Sequence, residues 1–189
     1  MPGVAPAART RVQQLTTTEG AVLALLATEG EHSGYELAKF VDRAIGHVWS
    51  PARSGLYATL ARLARNGLAE SRAVAQSARP DKQLYRISGV GREALGAWLE
   101  GVEPGARDTF FLKLFVGVLT TPEVLLEHVA QFRVDTAARL AVLEHLESTN
   151  ADTGHDWFYR HLLDYGIRRA RLELEWADDV ARSLRVGPR

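Results

Sequence analysis

Arg53, Ser54, Tyr57, Arg62 and Arg65 lie close together in the chain, and all of them present hydrogen-bond donors. Guanidinium groups seek phosphate oxygens, whereas a hydroxyl and a phenol can reach base edges in a DNA groove. The segment that carries them reads as one helix over 50–66. Ser50 is placed to accept the free N–H groups of a first turn, Pro51 suits the first helical position, and Gly67 ends the helix. Leu56, Leu60 and Leu63 recur at i, i+4 and i+7 and form one apolar stripe. The opposite face shows Ser54, Gly55, Ala58, Ala61, Arg62 and Arg65, with Tyr57 on its shoulder and Arg53 at the tip. Small residues edged by arginines fit a major groove. The same pattern also suits a helix face that meets only solvent.

Other chemistry is poorly represented. With no cysteine, the chain has no disulfide, thiol nucleophile or thiolate metal site, which fits a reducing cytoplasm. His155, Asp156 and His161 are the densest histidine–acid group. Six residues apart on a helix, the two histidines face different ways, unlike the i, i+4 pair of a helical zinc site. No glycine-rich phosphate loop, Gly-x-Ser-x-Gly elbow or paired-carboxylate motif occurs. The reading is therefore no enzyme, no metal and no cofactor. The longest apolar runs, Ala21 to Ala27 and Leu114 to Leu119, are too short to span a bilayer. Residues 1–14 lack the apolar core of a signal peptide and read as a disordered arm.

Net charge is zero, but it is unevenly spread. Residues 46–92 hold eight basic side chains against two acidic ones, whereas residues 103–189 hold eleven basic and fourteen acidic. A basic block in a neutral chain suits local binding of a polyanion.

The elements around the 50–66 helix define a mainly α protein with a small β-hairpin. Thr16-Thr17-Thr18-Glu19 and Ser33-Gly34-Tyr35-Glu36 are capping boxes that open helices of about 17–28 and 34–45. Three short helices joined by tight turns form a helix-turn-helix, with the Ser50 helix as reader. Strands at 68–74 and 83–87 then flank a polar loop, and the hairpin carries Arg79 and Lys82 at its tip as a wing over 75–82. Ser88 caps a helix to about Glu100, and Gly101 to Gly105 is a linker. This bounds a winged helix-turn-helix domain at 15–101.

Residues 106–186 carry three helical segments, at about 108–119, 121–148 and 156–184. The second has a stripe of Leu125, Val129, Phe132, Thr136, Leu140, Leu143 and Leu146; the third has Phe158, Leu162, Tyr165, Leu172, Trp176 and Val180. Helices this long pack more naturally across a homodimer than inside a monomeric three-helix bundle. The region is therefore read as a helical dimerisation domain. Among its aromatics and the preceding helix, Trp98, Trp157 and Phe158 are candidate edges of a pocket for a small aromatic effector, although aromatics at helical spacing are commonly core.

Leu23-Ala24-Leu25-Leu26, Ser33-Gly34-Tyr35-Glu36-Leu37, Trp49-Ser50-Pro51 and Leu56-Tyr57 with Leu60 and Leu63 resemble the PadR family of bacterial transcriptional regulators. Asn66-Gly67-Leu68-Ala69-Glu70, Tyr85-Arg86-Ile87-Ser88 with Gly91, and Trp98-Leu99 extend the resemblance from about Leu15 to Glu100. Phe111-Leu112-Lys113-Leu114-Phe115 looks like the start of the C-terminal dimerisation domain of the longer-tailed subfamily. The resemblance implies a homodimeric winged-helix repressor that binds an inverted repeat in double-stranded DNA and is released by a small ligand. It carries DNA contacts onto Ser50, Ser54, Tyr57, Arg79 and Lys82, whereas Arg53, Arg62 and Arg65 rest on helix geometry. Ala52-Arg53-Ser54-Gly55 and Ala58 depart from the family pattern, so operator sequence does not transfer. A winged-helix protein–protein adaptor without DNA binding is the alternative.

Overall fold

A computed structural model describes residues 14–75, 82–149 and 156–187 of the 189-residue chain. The arm expected at 1–14 lies outside the described residues except for Gln14. The chain divides into two compact units, Met1–Ala44 with Pro51–Trp98, and Ile45–Ser50 with Leu99–Arg189.

The first unit is built on α1 (Thr17–Thr28), α2 (Gly34–Ala44) and α3 (Arg53–Arg65). Both capping boxes form. The Thr16 N–H donates to Glu19 Oε2 at 3.0 Å, and the Glu19 N–H donates to Thr16 Oγ1 at 3.3 Å. Ser33 and Glu36 repeat the exchange at 3.0 and 3.4 Å. Leu23, Leu26, Leu37, Leu56, Leu60 and Leu63 are all buried, so the apolar stripe expected on α3 is the face that packs into the core.

A three-stranded antiparallel sheet in the order β1-β3-β2 completes this unit, from β1 (His32–Ser33), β2 (Ala69–Val74) and β3 (Lys82–Ile87). The short strand β1 is absent from the sequence reading, because two residues give no periodicity to detect. They pair with Tyr85 and Leu84. α4 (Gly89–Glu100) follows, and Ser88 ties it down. Its hydroxyl donates to the Gly67 carbonyl at 2.7 Å and accepts from the Gly91 N–H at 2.9 Å. Gly91 must be glycine, since a Cβ there would lie 2.0 Å from the Leu68 carbonyl oxygen.

Three expectations about α3 and the hairpin are corrected. Ser50 is not the helix cap: the helix opens at Arg53 with Ala52 as cap and no side-chain hydrogen bond. Pro51 precedes the cap instead of occupying the first turn, and the first helical bond runs from the Leu56 N–H to the Ala52 carbonyl. Lys82 does not sit at the hairpin tip, because it is the first residue of β3 and pairs in register with Val74.

The second unit holds α5 (Arg107–Phe115), a 3-10 turn (Gly117–Leu119), α6 (Pro122–Thr149) and α7 (Asp156–Val186). The helix expected to reach Leu119 therefore stops at Phe115. Gly117 lies against Leu125, where a Cβ would come within 2.9 Å. Phe110 and Phe132 stack with centroids 4.4 Å apart, and Trp176 meets both edge-on. Leu125, Val129, Phe132 and Thr136 are buried as expected, but Leu140, Leu143 and Leu146 are only half-buried.

On α7 the face buried within the chain differs from the bulky apolar stripe. The buried face is Leu163, Ile167, Ala170, Glu173, Ala177 and Ala181. Small side chains let α7 approach α6 closely. Phe158, Leu162, Tyr165 and Leu172 point away and are each more than 60% exposed.

Candidate nucleic-acid interface

The outer face of α3 is held by its inner face. Tyr57 is the most constrained of the expected readers. Its ring lies against Gly34 at the start of α2, where a Cβ would fall 2.4 Å from ring carbons, yet 44% of the residue remains exposed. Gly34 therefore sets the direction of the phenol. This glycine was visible inside the second capping box, but its purpose only emerges once α2 and α3 meet.

Ser54 is exposed one turn earlier, beside Arg53. Arg53 Nη2 lies 3.1 Å from Asp42 Oδ2, and both side chains are largely exposed. Such a surface pair contributes little stability, so the guanidinium can exchange partners readily. With no capping side chain and no acid in its first turn, α3 also presents the positive end of its dipole without compensation. Ser50 is exposed in the segment before it.

Arg62 and Arg65 fare differently. Arg65 is exposed and makes no ion pair among the described residues. Arg62 instead turns to the buried Glu19, with Nε donating to Oε1 at 2.8 Å and Nη2 to Thr59 Oγ1 at 3.4 Å. Glu19 is thus both the capping-box acid of α1 and the anchor of α3. Burial acts to raise its pKa, but hydrogen bonds from the Thr16 backbone and from Arg62 outweigh it and leave the pKa lowered.

At the sheet, Lys82 Nζ donates to Glu36 Oε1 at 2.6 Å. That bond, with the Ser33 N–H, lowers the Glu36 pKa to about 2 against a smaller opposing effect of burial. Lys82 thereby joins β3 to the start of α2. Arg79 lies outside the described residues. Arg72 pairs with Glu31, and Arg86 with Glu70. The basic excess of 46–92 is therefore reduced in three dimensions by Glu19, Glu31, Glu36 and Asp42, all earlier in the chain. Sequence windows cannot see that compensation.

The three aromatics expected to edge an effector pocket are divided between the two units. Trp98 is buried in the first unit against Gly20, where a Cβ would lie 2.3 Å from its ring. Trp157 and Phe158 stand exposed at the start of α7, edge to face with centroids 4.9 Å apart. Among the described residues there is no cluster of metal-ligating side chains, and no helix is long and apolar enough to cross a membrane.

Three helices with an outward-facing third helix, closed by a β-hairpin sheet, define a winged helix-turn-helix protein. Residues 22–97 match the transcriptional regulator PadR-like family, and residues 106–185 match the virulence activator alpha C-terminal family. A probable transcriptional regulator of Mycobacterium tuberculosis, Rv1176c, is 32% identical over 174 residues, covering 82% of this chain and 92% of that protein. The negative transcriptional regulator PadR of Bacillus subtilis is 31% identical over 107 residues, which is 54% of this chain and 58% of the relative. The crystal structure of Bacillus subtilis PadR with operator DNA aligns at a TM-score of 0.45 and 22% identity, over 89% of this chain and 99% of that one. The chain belongs to the PadR-like family and is a transcriptional regulator.

Proposed function

We propose that this regulator is a homodimeric repressor that reads an inverted repeat in double-stranded DNA and is released by a small ligand. The observation that carries the reading is the outer face of α3, where an uncapped helix start, Arg53, Ser54 and the half-exposed Tyr57 lie together. In this reading Tyr57, Ser54 and Arg53 meet base edges or adjacent phosphates, with Ser50 close by. Arg65 grips the backbone further along the helix, and Arg79 and Lys82 serve the wing. Arg62 contributes by holding α3 to α1 through Glu19. The sign of regulation is supported by the Bacillus subtilis relative, which is named a negative regulator.

The exposed stripe on α7 supports the dimer. Phe158, Leu162, Tyr165 and Leu172 follow one another at separations of four, three and seven residues, the spacing of a two-helix seam. A second copy covering that stripe would set two α3 helices about one DNA turn apart, ~34 Å. A dimer of this kind works in the cytoplasm, on the cell's own DNA.

Substitution at Tyr57 tests the reading helix. Tyr57→Ala should weaken binding to the operator by about tenfold or more and leave random DNA nearly unaffected, as expected for loss of a base contact worth ~1–3 kcal/mol. Equal loss on both DNAs would remove Tyr57 from the readers.

A further inference from the structure

The ion pairs of the first unit divide by what they hold. Glu19 with Arg62 ties α1 to α3, and Glu36 with Lys82 ties α2 to β3. Glu31 with Arg72 links the segment before β1 to β2, and Glu70 faces Arg86 directly across the β2–β3 ladder. Asp42 and Arg53 are different. They join α2 to α3, which already pack together and bury Leu37 and Val41 on one side and Leu56 and Leu60 on the other. Their side chains are 61% exposed for Arg53 and 47% for Asp42, and one bond of 3.1 Å connects them. Such a pair adds little to stability.

Asp42 is also badly placed for α2 itself. It lies in the last turn, where the negative end of the helix dipole disfavours an acid. The cations beside it on α2 are turned to other groups. Lys39 Nζ lies over the Tyr35 ring, 4.8 Å from its centroid, and Arg43 Nε donates to the Lys39 carbonyl at 3.3 Å. Asp42 therefore answers Arg53, the first residue of α3.

The bond takes one N–H of Arg53 Nη2. Nη2 carries a second N–H and Nη1 two more, so the end of the guanidinium keeps a pair of donors. The O6 and N7 atoms of guanine accept such a pair in the major groove, and the base carries no net charge. A phosphate accepts the pair as well, but it is an anion brought up beside a carboxylate. Like charges about 4 Å apart repel enough, even in bulk water, to shift an equilibrium roughly fivefold.

We propose that Asp42 is a positioning residue for base reading, which holds Arg53 for a guanine edge and disfavours a phosphate in the same place. The inference rests on the reading face proposed above and decides between the two partners named there for Arg53. Arg65, with no ion pair among the described residues, has no such guard and is left to the phosphates.

Affinity of the full-length protein for the intergenic DNA upstream of its gene, beside random DNA of equal length, tests the assignment. Asp42→Asn removes the charge and keeps the shape, and thermal unfolding should hardly change. Its affinity for random DNA should rise about fivefold, with a salt slope steeper by about one. Affinity for the upstream fragment should not rise, so the ratio of the two falls about fivefold. In an Arg53→Gln chain, adding Asp42→Asn should leave that ratio unchanged. The wild-type protein supplies a second readout. An upstream fragment copied with 7-deazaguanine lacks the N7 acceptors and should bind about tenfold more weakly, with a smaller drop for Arg53→Gln. An unchanged ratio in Asp42→Asn, equal gains on both DNAs, a ratio loss that persists beside Arg53→Gln, or full affinity for the 7-deazaguanine fragment would overturn the proposal and leave the reading face standing. A wild-type chain that binds the upstream fragment no better than random DNA would overturn both.

Discussion

The outer faces of α3 and α7 are both exposed, and they are exposed for opposite reasons. On α3 the outward residues are Ser54, Gly55, Ala58, Ala61 and Arg65, polar or small, and water solvates them without cost. On α7 they include Phe158, Leu162, Tyr165 and Leu172, whose exposure to water is unfavourable. A face of the first kind is stable alone and gains from a polyanion. One of the second kind is incomplete until another apolar surface covers it. In the function proposed above, the first face reads and the second pairs.

The sharpest way to break this contrast is to make α7 resemble α3. Leu162→Glu with Leu172→Glu should convert a dimer to a monomer in sedimentation equilibrium. Operator affinity should then fall by about a hundredfold or more, because the second half-site no longer benefits from a high effective concentration. A double variant that stays dimeric would place the seam elsewhere.

A second test separates scaffold from reader within α3. Glu19→Ala removes the capping box of α1 and the partner of Arg62, so denaturant unfolding should show a loss of about 2 kcal/mol. Arg62→Gln should cost about 1 kcal/mol, its guanidinium being partly exposed, and should leave the ratio of operator to random affinity unchanged. A changed ratio in Arg62→Gln would return that residue to the DNA face. Arg65→Gln is expected to do the reverse. It should keep full stability, weaken both DNAs alike and lower the salt slope by about one.

The smallest effect concerns pH. The Glu36 carboxyl is lowered from 4.5 to about 2 in the folded chain. A lowered carboxyl pKa means that the unfolded chain binds the proton more readily. The stabilisation is therefore complete above about 4.5 and is lost as pH falls towards 2. Glu36→Gln should lower stability at neutral pH, change little near pH 2 and so flatten the acid limb between those values.

Much of this molecule could be read from its residues. Strong local signals located α1, α2 and α4, because capping boxes and Ser88 fix helix starts through bonds within a few residues. The α3 stripe was legible for the same reason that leucines at helical spacing have one place to go. The start of α3 was misread because Ser50-Pro51 is a favourable opening that the chain does not use. On α7, two stripes compete. The bulkier one is the conspicuous pattern in the sequence, but packing against α6 selects the alanines, and only the partner helix makes that choice visible. Arg62 and Lys82 were legible as cations and illegible as ion-paired groups, since Glu19 and Glu36 lie more than forty residues away.

One measurement bears most directly on the account. The purified protein is titrated against the intergenic DNA upstream of its own gene and against random DNA of equal length, each at two salt concentrations. The account predicts tight, salt-sensitive binding with two protomers per site and a clear preference for the upstream fragment at both salts. Failure to bind either DNA, even at low salt, would contradict it and leave the winged helix as a protein-binding scaffold.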